Sequence, residues 1–419
     1  MQALTYLLGT GPTASMLGVR ISLFFGALFL AYGVVVPYFP VWLDARGLDP
    51  LQISAVTAAP LFIRLLVTPA IGLLADRLGN YRSVIVTLAW GALAMIAGLG
   101  LVSGYLPILL IGVAFLLANG TMLPLIETVA VGGVRTQGLD YGRMRLWGSI
   151  AFIVANFVGG LVIQALGGGS ALWLIALAAG LTIAAAHALP PPPVTVRAVG
   201  AEKMSWRASS PALLLQSRLF ILFLAAIGCT HGAHATFYTF GALHWQAQGL
   251  SAAWVGTLWA IGVFAEVVLF ALSAPVVRRF GPAELIVAGA GASVVRWGVM
   301  AFDPPLGVLI PLQVLHALTY GAAHLGAILF ITRAVPHKGM GSAQAFYATI
   351  AAGLALGVVG LISGALFAQV GGEVYFVPTL VATIGCVAGV MLWRDWDGGA
   401  LWADTEAEAP NPTTPAAAG

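Results

Sequence analysis

Residues 72–82 read Gly72-Leu73-Leu74-Ala75-Asp76-Arg77-Leu78-Gly79-Asn80-Tyr81-Arg82. A long apolar run ends in this stretch, the chain turns on a charged, glycine-bearing knot, and another apolar run begins at once. Glycine permits a tight reversal or a close helix approach. Asp76 stands where it can meet a neighbouring helix N-terminus or an Arg, which would latch one arrangement of the helices; the plainer reading is a solvated turn. The stretch has an echo 202 residues later, where Arg77-Leu78-Gly79 falls on Arg279-Phe280-Gly281. On the same offset Gly47-Leu48 falls on Gly249-Leu250 and Ile53 on Val255. Between these anchors Arg64 falls on Glu266, so each copy carries one charge, of opposite sign, at one depth of its second helix. The chain is therefore read as two related halves.

Working outward from the turn, apolar runs fill the chain. A helix needs roughly 20 mostly apolar residues to cross a hydrocarbon core about 30 Å thick. Twelve stretches qualify, centred on 19–41, 53–75, 82–103, 106–131, 145–167, 171–189, 218–243, 252–276, 284–302, 306–333, 342–369 and 374–394. They are continuously apolar rather than alternating, which disfavours a β-barrel. Composition agrees: 60% of the 419 residues are hydrophobic and 8% charged, against about 25% charged in soluble chains. A soluble enzyme is excluded on that ground. A net charge of +3, dispersed along the chain, leaves no nucleic-acid footprint.

The polar segments divide the chain. The six-span half 1–190 is followed by a proline-led linker, 191–217, which begins within Pro190-Pro191-Pro192-Pro193. The second half covers 218–394, and a disordered tail is expected over 395–419. Fifteen of the eighteen Lys and Arg residues fall on the side shared by the termini, Arg46 alone on the other, and Arg64 and Arg296 within spans. Cytoplasmic loops collect the positive charge, so both termini and the linker are expected in the cytoplasm. Parallel six-span repeats describe a large transporter architecture with its substrate site at the midplane between the halves.

The stretch 72–82 resembles the G-x-L-a-D-r-x-G-r-k motif of the major facilitator superfamily, with Gly72, Asp76, Arg77, Gly79 and Arg82 as its latch residues. A narrower resemblance lies in spans four and five. Glu127 and Arg145 stand eighteen residues apart, as do the span-four carboxylate and span-five Arg that pair in the lactose permease and its relatives. Asp140-Tyr141-Gly142-Arg143-Met144-Arg145-Leu146-Trp147-Gly148-Ser149 looks closer still to the phenylpropionate permease branch. So do Gly232-Ala233-His234-Ala235, Val295-Arg296-Trp297-Gly298 and Leu315-His316-Ala317. The resemblance implies an all-α fold of 12 transmembrane helices in two pseudo-symmetric six-helix halves, sited in the bacterial inner membrane. It also implies proton-coupled uptake of a small organic solute, an aromatic carboxylate of phenylpropionate type, by alternating access. A sugar or nucleoside symporter is the second reading. Drug efflux by proton antiport, or a non-transporting protein on this fold, is the third.

Ionisable groups within the hydrocarbon cost roughly 2.5–3.5 kcal/mol each on insertion scales, so they normally face a cavity or a partner. Glu266, Arg296 and His316 in the second half resemble the lactose permease coupling cluster, with Glu127 as a further candidate for the proton. One departure matters: the carboxylate that follows the span-ten His by one turn in that permease is Thr319 here, which cannot take up a proton at accessible pH. His316, Tyr320 and His324 step by four and His231 and His234 by three, so each set shares a helix face. Candidate substrate contacts are Arg64, Arg145, Glu127, Phe152, His234, Tyr238, Tyr320 and His324. Phe152 matches the family position where an aromatic ring packs on substrate; Tyr32, Tyr38, Phe237 and Trp259 are further aromatics near these positions. Arg145 lies close enough to a helix end to snorkel to the surface instead. Arg64 is expected to pair with Glu266 across the cavity or to anchor a substrate carboxylate. No Cys or acidic residue stands at metal-ligand spacing around the histidines, and no G-x-x-x-x-G-K-[ST] loop occurs. The expected partners are a small-molecule substrate, protons and the lipid bilayer, in a monomer without cofactor, driven by a proton gradient.

Overall fold

The protein was analysed as a computed structural model, which describes residues 16–190 and 210–402. Among the described residues there is no strand. A chain in lipid must satisfy its backbone polar groups internally, and helices do so within each segment. The first half comprises α1 (Met16–Ala45), α2 (Pro50–Leu78), α3 (Tyr81–Leu101), α4 (Tyr105–Gln137), α5 (Tyr141–Leu166) and α6 (Ala171–Ala188). The second comprises α7 (Arg218–Ala247), α8 (Ala252–Ala271), α9 (Pro282–Met300) and α10 (Leu306–Ala334). It is completed by α11, built from Met340–Thr349, a π-helical turn Ile350–Leu354 and Ala355–Val370, and by α12 (Phe376–Asp395). The long apolar run from Ala355 to Asp395 is broken at Gly371, whose φ of +53° reverses the chain between α11 and α12.

The repeat is visible in how the second helix of each half starts. Gly47 and Gly249 both adopt left-handed backbone, with φ of +81° and +88°. Two residues on, Asp49 and Ser251 are the N-caps; their side chains accept from the backbone N–H of Gln52 and Trp254, which satisfies donors the first helical turn leaves free. The symmetry fails at the other end. Gly79 closes α2 with φ +60°, whereas Gly281 is an extended N-cap of α9.

The latch turn differs from its expected form. The reversal at Gly79 is present, but nothing lies within 4 Å of a Cβ built at Gly72, so no helix approaches there. Asp76 accepts a short hydrogen bond from the Tyr81 hydroxyl at the start of α3 and meets no Arg among the described residues. Arg82 donates to the His187 carbonyl at 2.8 Å, tying α3 to the C-terminal end of α6, where cations are favoured.

The linker and tail also depart from expectation. Residues 191–209 and 403–419 lie outside the described residues. Ser210–Gln216 forms a short helix whose Leu214 is fully buried in a cluster with Phe220, Phe223 and Phe330, because the run Leu213-Leu214-Leu215 supplies an apolar face. Residues 395–402, expected within the tail, pack as well. Asp395 pairs with Arg218 at 2.9 Å, the Trp396 ring meets Phe330 edge to face, and Leu401 N–H donates to the Ala334 carbonyl.

The halves meet tightly at the end opposite the termini. There α5 packs on α8, α1 on α7 and α2 on α11. Small residues make this possible. A Cβ on Gly256 would collide with the Asn156 carbonyl oxygen, and one on Gly160 with that of Ala252. The Tyr38 hydroxyl crosses the same junction to donate to the Asn156 carbonyl at 2.8 Å. Towards the other end, among the described residues, no comparable packing joins α4 to α10 or α11. The bundle is thus closed at one end only.

This asymmetry predicts a wedge. Gly256→Ala places a methyl against backbone that no rotamer change can clear, and overpacking of this kind costs about 1–3 kcal/mol. A cysteine at Ala58, which is 2% exposed where α2 meets α7 and α11, should then react with a soluble maleimide about tenfold faster than in the parent. An unchanged labelling rate would show that the closed end does not depend on this contact.

Candidate functional site

A cavity of about 310 Å³ lies between the halves, at the lower end of the range usual for small-molecule sites. The first half contributes Phe29, Tyr32 and Val36 from α1, Leu123 from α4, and Arg145, Ser149 and Phe152 from α5. The second contributes Phe237 and Tyr238 from α7, Trp259, Gly262, Val263 and Glu266 from α8, Arg296 from α9, and Gln313, His316 and Tyr320 from α10. The wall is mostly aromatic, with two guanidinium groups and one carboxylate.

The second-half wall is organised around Arg296, which is 1% exposed. Its guanidinium lies over the Trp297 ring at 4.5 Å and the Phe237 ring at 5.2 Å, contacts that stabilise a desolvated cation. Nη2 donates to Gln313 Oε1 at 2.7 Å, and Nη1 donates to Thr319 Oγ1 and to His316 Nδ1, each at 3.1 Å. Arginine has donors and no acceptor, so each partner must present a lone pair to it. That requirement assigns the His316 tautomer: Nδ1 is bare and Nε2 carries the hydrogen. His316 Nε2 faces Glu266 Oε2 at 3.4 Å. The chain continues through Thr319. His234 Nδ1 faces the carbonyls of Thr230 and His231, so it holds the hydrogen, and His234 Nε2 accepts from the Thr319 hydroxyl at 3.1 Å. Thr319, where the lactose permease resemblance would put a carboxylate, therefore acts as a hydroxyl bridge between Arg296 and His234.

Local backbone builds this cluster. A π-helical turn, Ala317–Ala322, interrupts α10 directly after His316; such turns recur at functional sites. Gly262 and Gly321 admit α10 close to α8: a Cβ at Gly262 would stand 3.3 Å from that of His316, and one at Gly321 3.3 Å from Glu266 Cγ. The α10 face carries a ring stack, with His316 on Tyr320 at 5.6 Å, Tyr320 on His324 at 6.3 Å, and His231 on Tyr320 at 4.8 Å.

The structure divides the expected substrate set. Arg145, Phe152, Tyr238 and Tyr320 line the cavity, while Arg64, Glu127, His234 and His324 are not part of its lining. Arg145 does not snorkel; its guanidinium lies 3.8 Å from the Phe29 ring centre. Glu127 and Arg145 form no ion pair within 4 Å; Glu127 is met instead by the Tyr141 hydroxyl at 3.4 Å. Arg64 and Glu266 do not pair either, since Glu266 is turned to His316 on the neighbouring helix. Among the described residues Arg64 takes part in no ion pair. His324 Nδ1 is taken up by the Tyr347 hydroxyl at 2.6 Å. Sequence reasoning missed Phe29, whose ring carries the Arg145 guanidinium, and Gln313. Gln313 stands three before His316 on α10, the spacing that already grouped His231 with His234.

A sequence model of the MFS_1 like family matches residues 18–377. The chain belongs to this family of the major facilitator superfamily. It is 32% identical over 358 residues to a probable 3-phenylpropionic acid transporter of Escherichia coli (strain K12), covering 84% of this chain and 92% of the relative. It is 26% identical to the maltose permease of Geobacillus stearothermophilus, over 88% of this chain and 93% of that one. Among solved structures, a D323A mutant of the nucleoside transporter NupG superposes with a TM-score of 0.76 at 20% identity, covering 90% of this chain and 98% of that one. The fold is that of major facilitator transporters, and the protein is a multi-pass membrane transporter rather than an enzyme.

The hydroxyl bridge is testable. Thr319→Val keeps the shape but leaves His234 Nε2 without a donor and Arg296 without one acceptor. An unmade buried hydrogen bond costs about 1–3 kcal/mol, so the thermal midpoint in detergent should fall by a few degrees. Thr319→Ser should recover most of the loss. Equal midpoints for Val and wild type would mean that the bridge contributes nothing.

Proposed function

We propose that this transporter is a proton symporter that takes up an aromatic carboxylate of phenylpropionate type across the bacterial inner membrane, with both termini cytoplasmic. In that orientation the closed end faces outward and the cavity belongs to an inward-facing state. The relative at 32% identity supports the substrate class. So does the wall, where Phe29, Phe152, Phe237 and Trp259 offer ring surfaces and Arg145 and Arg296 offer positive charge.

The observation that carries the coupling is the shared use of Arg296. His316 Nδ1 cannot gain a proton while Arg296 Nη1 donates to it, because two N–H groups would then face each other at 3.1 Å. A substrate carboxylate that draws Arg296 towards itself frees Nδ1. His316 can then hold a proton between Glu266 and the cavity. Each event favours the other, and linkage makes that favour reciprocal. Joint binding of anion and proton, followed by rocking of the halves, is symport. Glu266 is the acid at the end of this chain.

Glu266→Gln tests the reading. The amide oxygen can still accept from His316 Nε2, so the cluster should stay assembled. Exchange of labelled 3-phenylpropionate for unlabelled across proteoliposome membranes should persist. Accumulation driven by an imposed pH gradient should fall by about tenfold or more, in keeping with couplings of about 1–3 kcal/mol. Accumulation at the wild-type level would remove Glu266 from the proton path.

A further inference from the structure

Three buried groups of the cavity wall hold hydrogen-bond donors that nothing in the described protein accepts: Trp259 Nε1, Gln313 Nε2 and Arg296 Nε. All three residues line the cavity, and they are 5%, 1% and 1% exposed. An unpartnered buried donor is costly and uncommon, and three on one cavity call for a cause.

Their orientations are forced rather than adjustable. Gln313 turns its carbonyl oxygen to Arg296 Nη2 at 2.7 Å. Because Arg296 is only a donor, the amide cannot flip, and its NH₂ is left facing elsewhere. Trp259 is stacked between neighbours, on Phe237 at 4.5 Å with an interplanar angle of 19° and beside Tyr238 at 5.7 Å. Its indole nitrogen can donate and never accept. Arg296 is held by its two terminal nitrogens, which leaves Nε. The three belong to one side of the cavity. Gly262 follows Trp259 by three residues on α8, and a Cβ there would stand 3.5 Å from the backbone carbonyl oxygen of Gln313.

We infer that Trp259 and Gln313, together with Arg296, form a donor-only pole that receives the carboxylate of the substrate. This rests on the reading of the substrate as an aromatic acid and assigns its anion to residues other than Arg64. A carboxylate brings acceptors and no donor, so it can accept from any of the three groups and opposes none of them. An amide or alcohol brings a hydrogen of its own and leaves part of the pole unmatched. Sites whose polar groups match one ligand in this way discriminate strongly against analogues that cannot complete them. The pole also lies beside the Arg296–His316 bond, so an anion bound to Trp259 and Gln313 is placed where it can compete for Arg296.

Binding to purified transporter by calorimetry, with 3-phenylpropionate and its neutral amide as probes, tests the inference. Wild type should prefer the acid. Trp259→Phe keeps the ring and removes only the N–H. It should weaken acid binding about tenfold, the usual scale for one hydrogen bond to a charged group, and change amide binding much less. Gln313→Glu pairs with Arg296 and turns a donor into a charged acceptor, so it should abolish the preference for the acid. A wild type that binds acid and amide equally would overturn the substrate reading and this inference with it. A wild type that prefers the acid, with Trp259→Phe and Gln313→Glu keeping the full preference, would overturn the donor pole alone.

Discussion

A guanidinium buried in the middle of the membrane can only donate hydrogen bonds, and the polar half of this cavity is arranged to suit that one restriction. Arg296 obliges Gln313 to turn its oxygen inward, His316 to leave Nδ1 bare, and Thr319 to accept before it can donate to His234. A neutral network would tolerate flipped amides and alternative tautomers. A donor-only cation removes that freedom. Its cost in a low-dielectric site is offset by the aromatic faces of Trp297 and Phe237 and by its acceptors. Polar groups that do not touch Arg296 inherit their direction from it: His316 Nε2 points to Glu266, and the Gln313 NH₂ is left without a partner among the described residues.

The two ends of the bundle rest on different physics. The closed end is held by backbone-to-backbone approach at Gly160 and Gly256, with Tyr38 bridging, and it buries little charge. Contacts of this kind in a membrane derive from packing between small residues rather than from the hydrophobic effect, because lipid is as apolar as the helix surface. They can be exchanged for similar contacts elsewhere at modest net cost, which is what a rocking bundle requires. The state of the latch turn fits: Gly72 faces open space, and Asp76 bonds within its own turn to Tyr81.

Of the first-half charges, Arg145 lines the cavity, whereas Arg64 and Glu127 do not. Tyr32 on α1 and Tyr320 on α10 line the cavity from opposite halves. No ion pair crosses between the halves among the described residues.

The sequence by itself determined the class, the membrane-spanning helices, the repeat and part of the cavity's titratable set: Arg145, Glu266, Arg296 and His316 line the cavity, whereas Arg64, Glu127, His234 and His324 do not. Each depends on a property that survives without coordinates: apolar length against bilayer thickness, glycine and cap positions that recur at a fixed offset, and the cost of charge in hydrocarbon. Glu266, Arg296 and His316 were legible because each is expensive where it stands. Partner choice was not. Glu127 and Arg145 have the spacing of a pair, yet Arg145 lies on Phe29 and Glu127 meets Tyr141. Arg64 and Glu266 match in the repeat, yet Glu266 turns to its neighbour His316. Spacing along a chain places side chains at a depth but not around a helix axis, and the π-helical turn after His316 rotates that register further. Gln313 went unread because a neutral amide costs little and leaves no compositional mark. Only the tertiary structure, by setting it against Arg296, gave it one possible orientation and left its amide nitrogen without a partner.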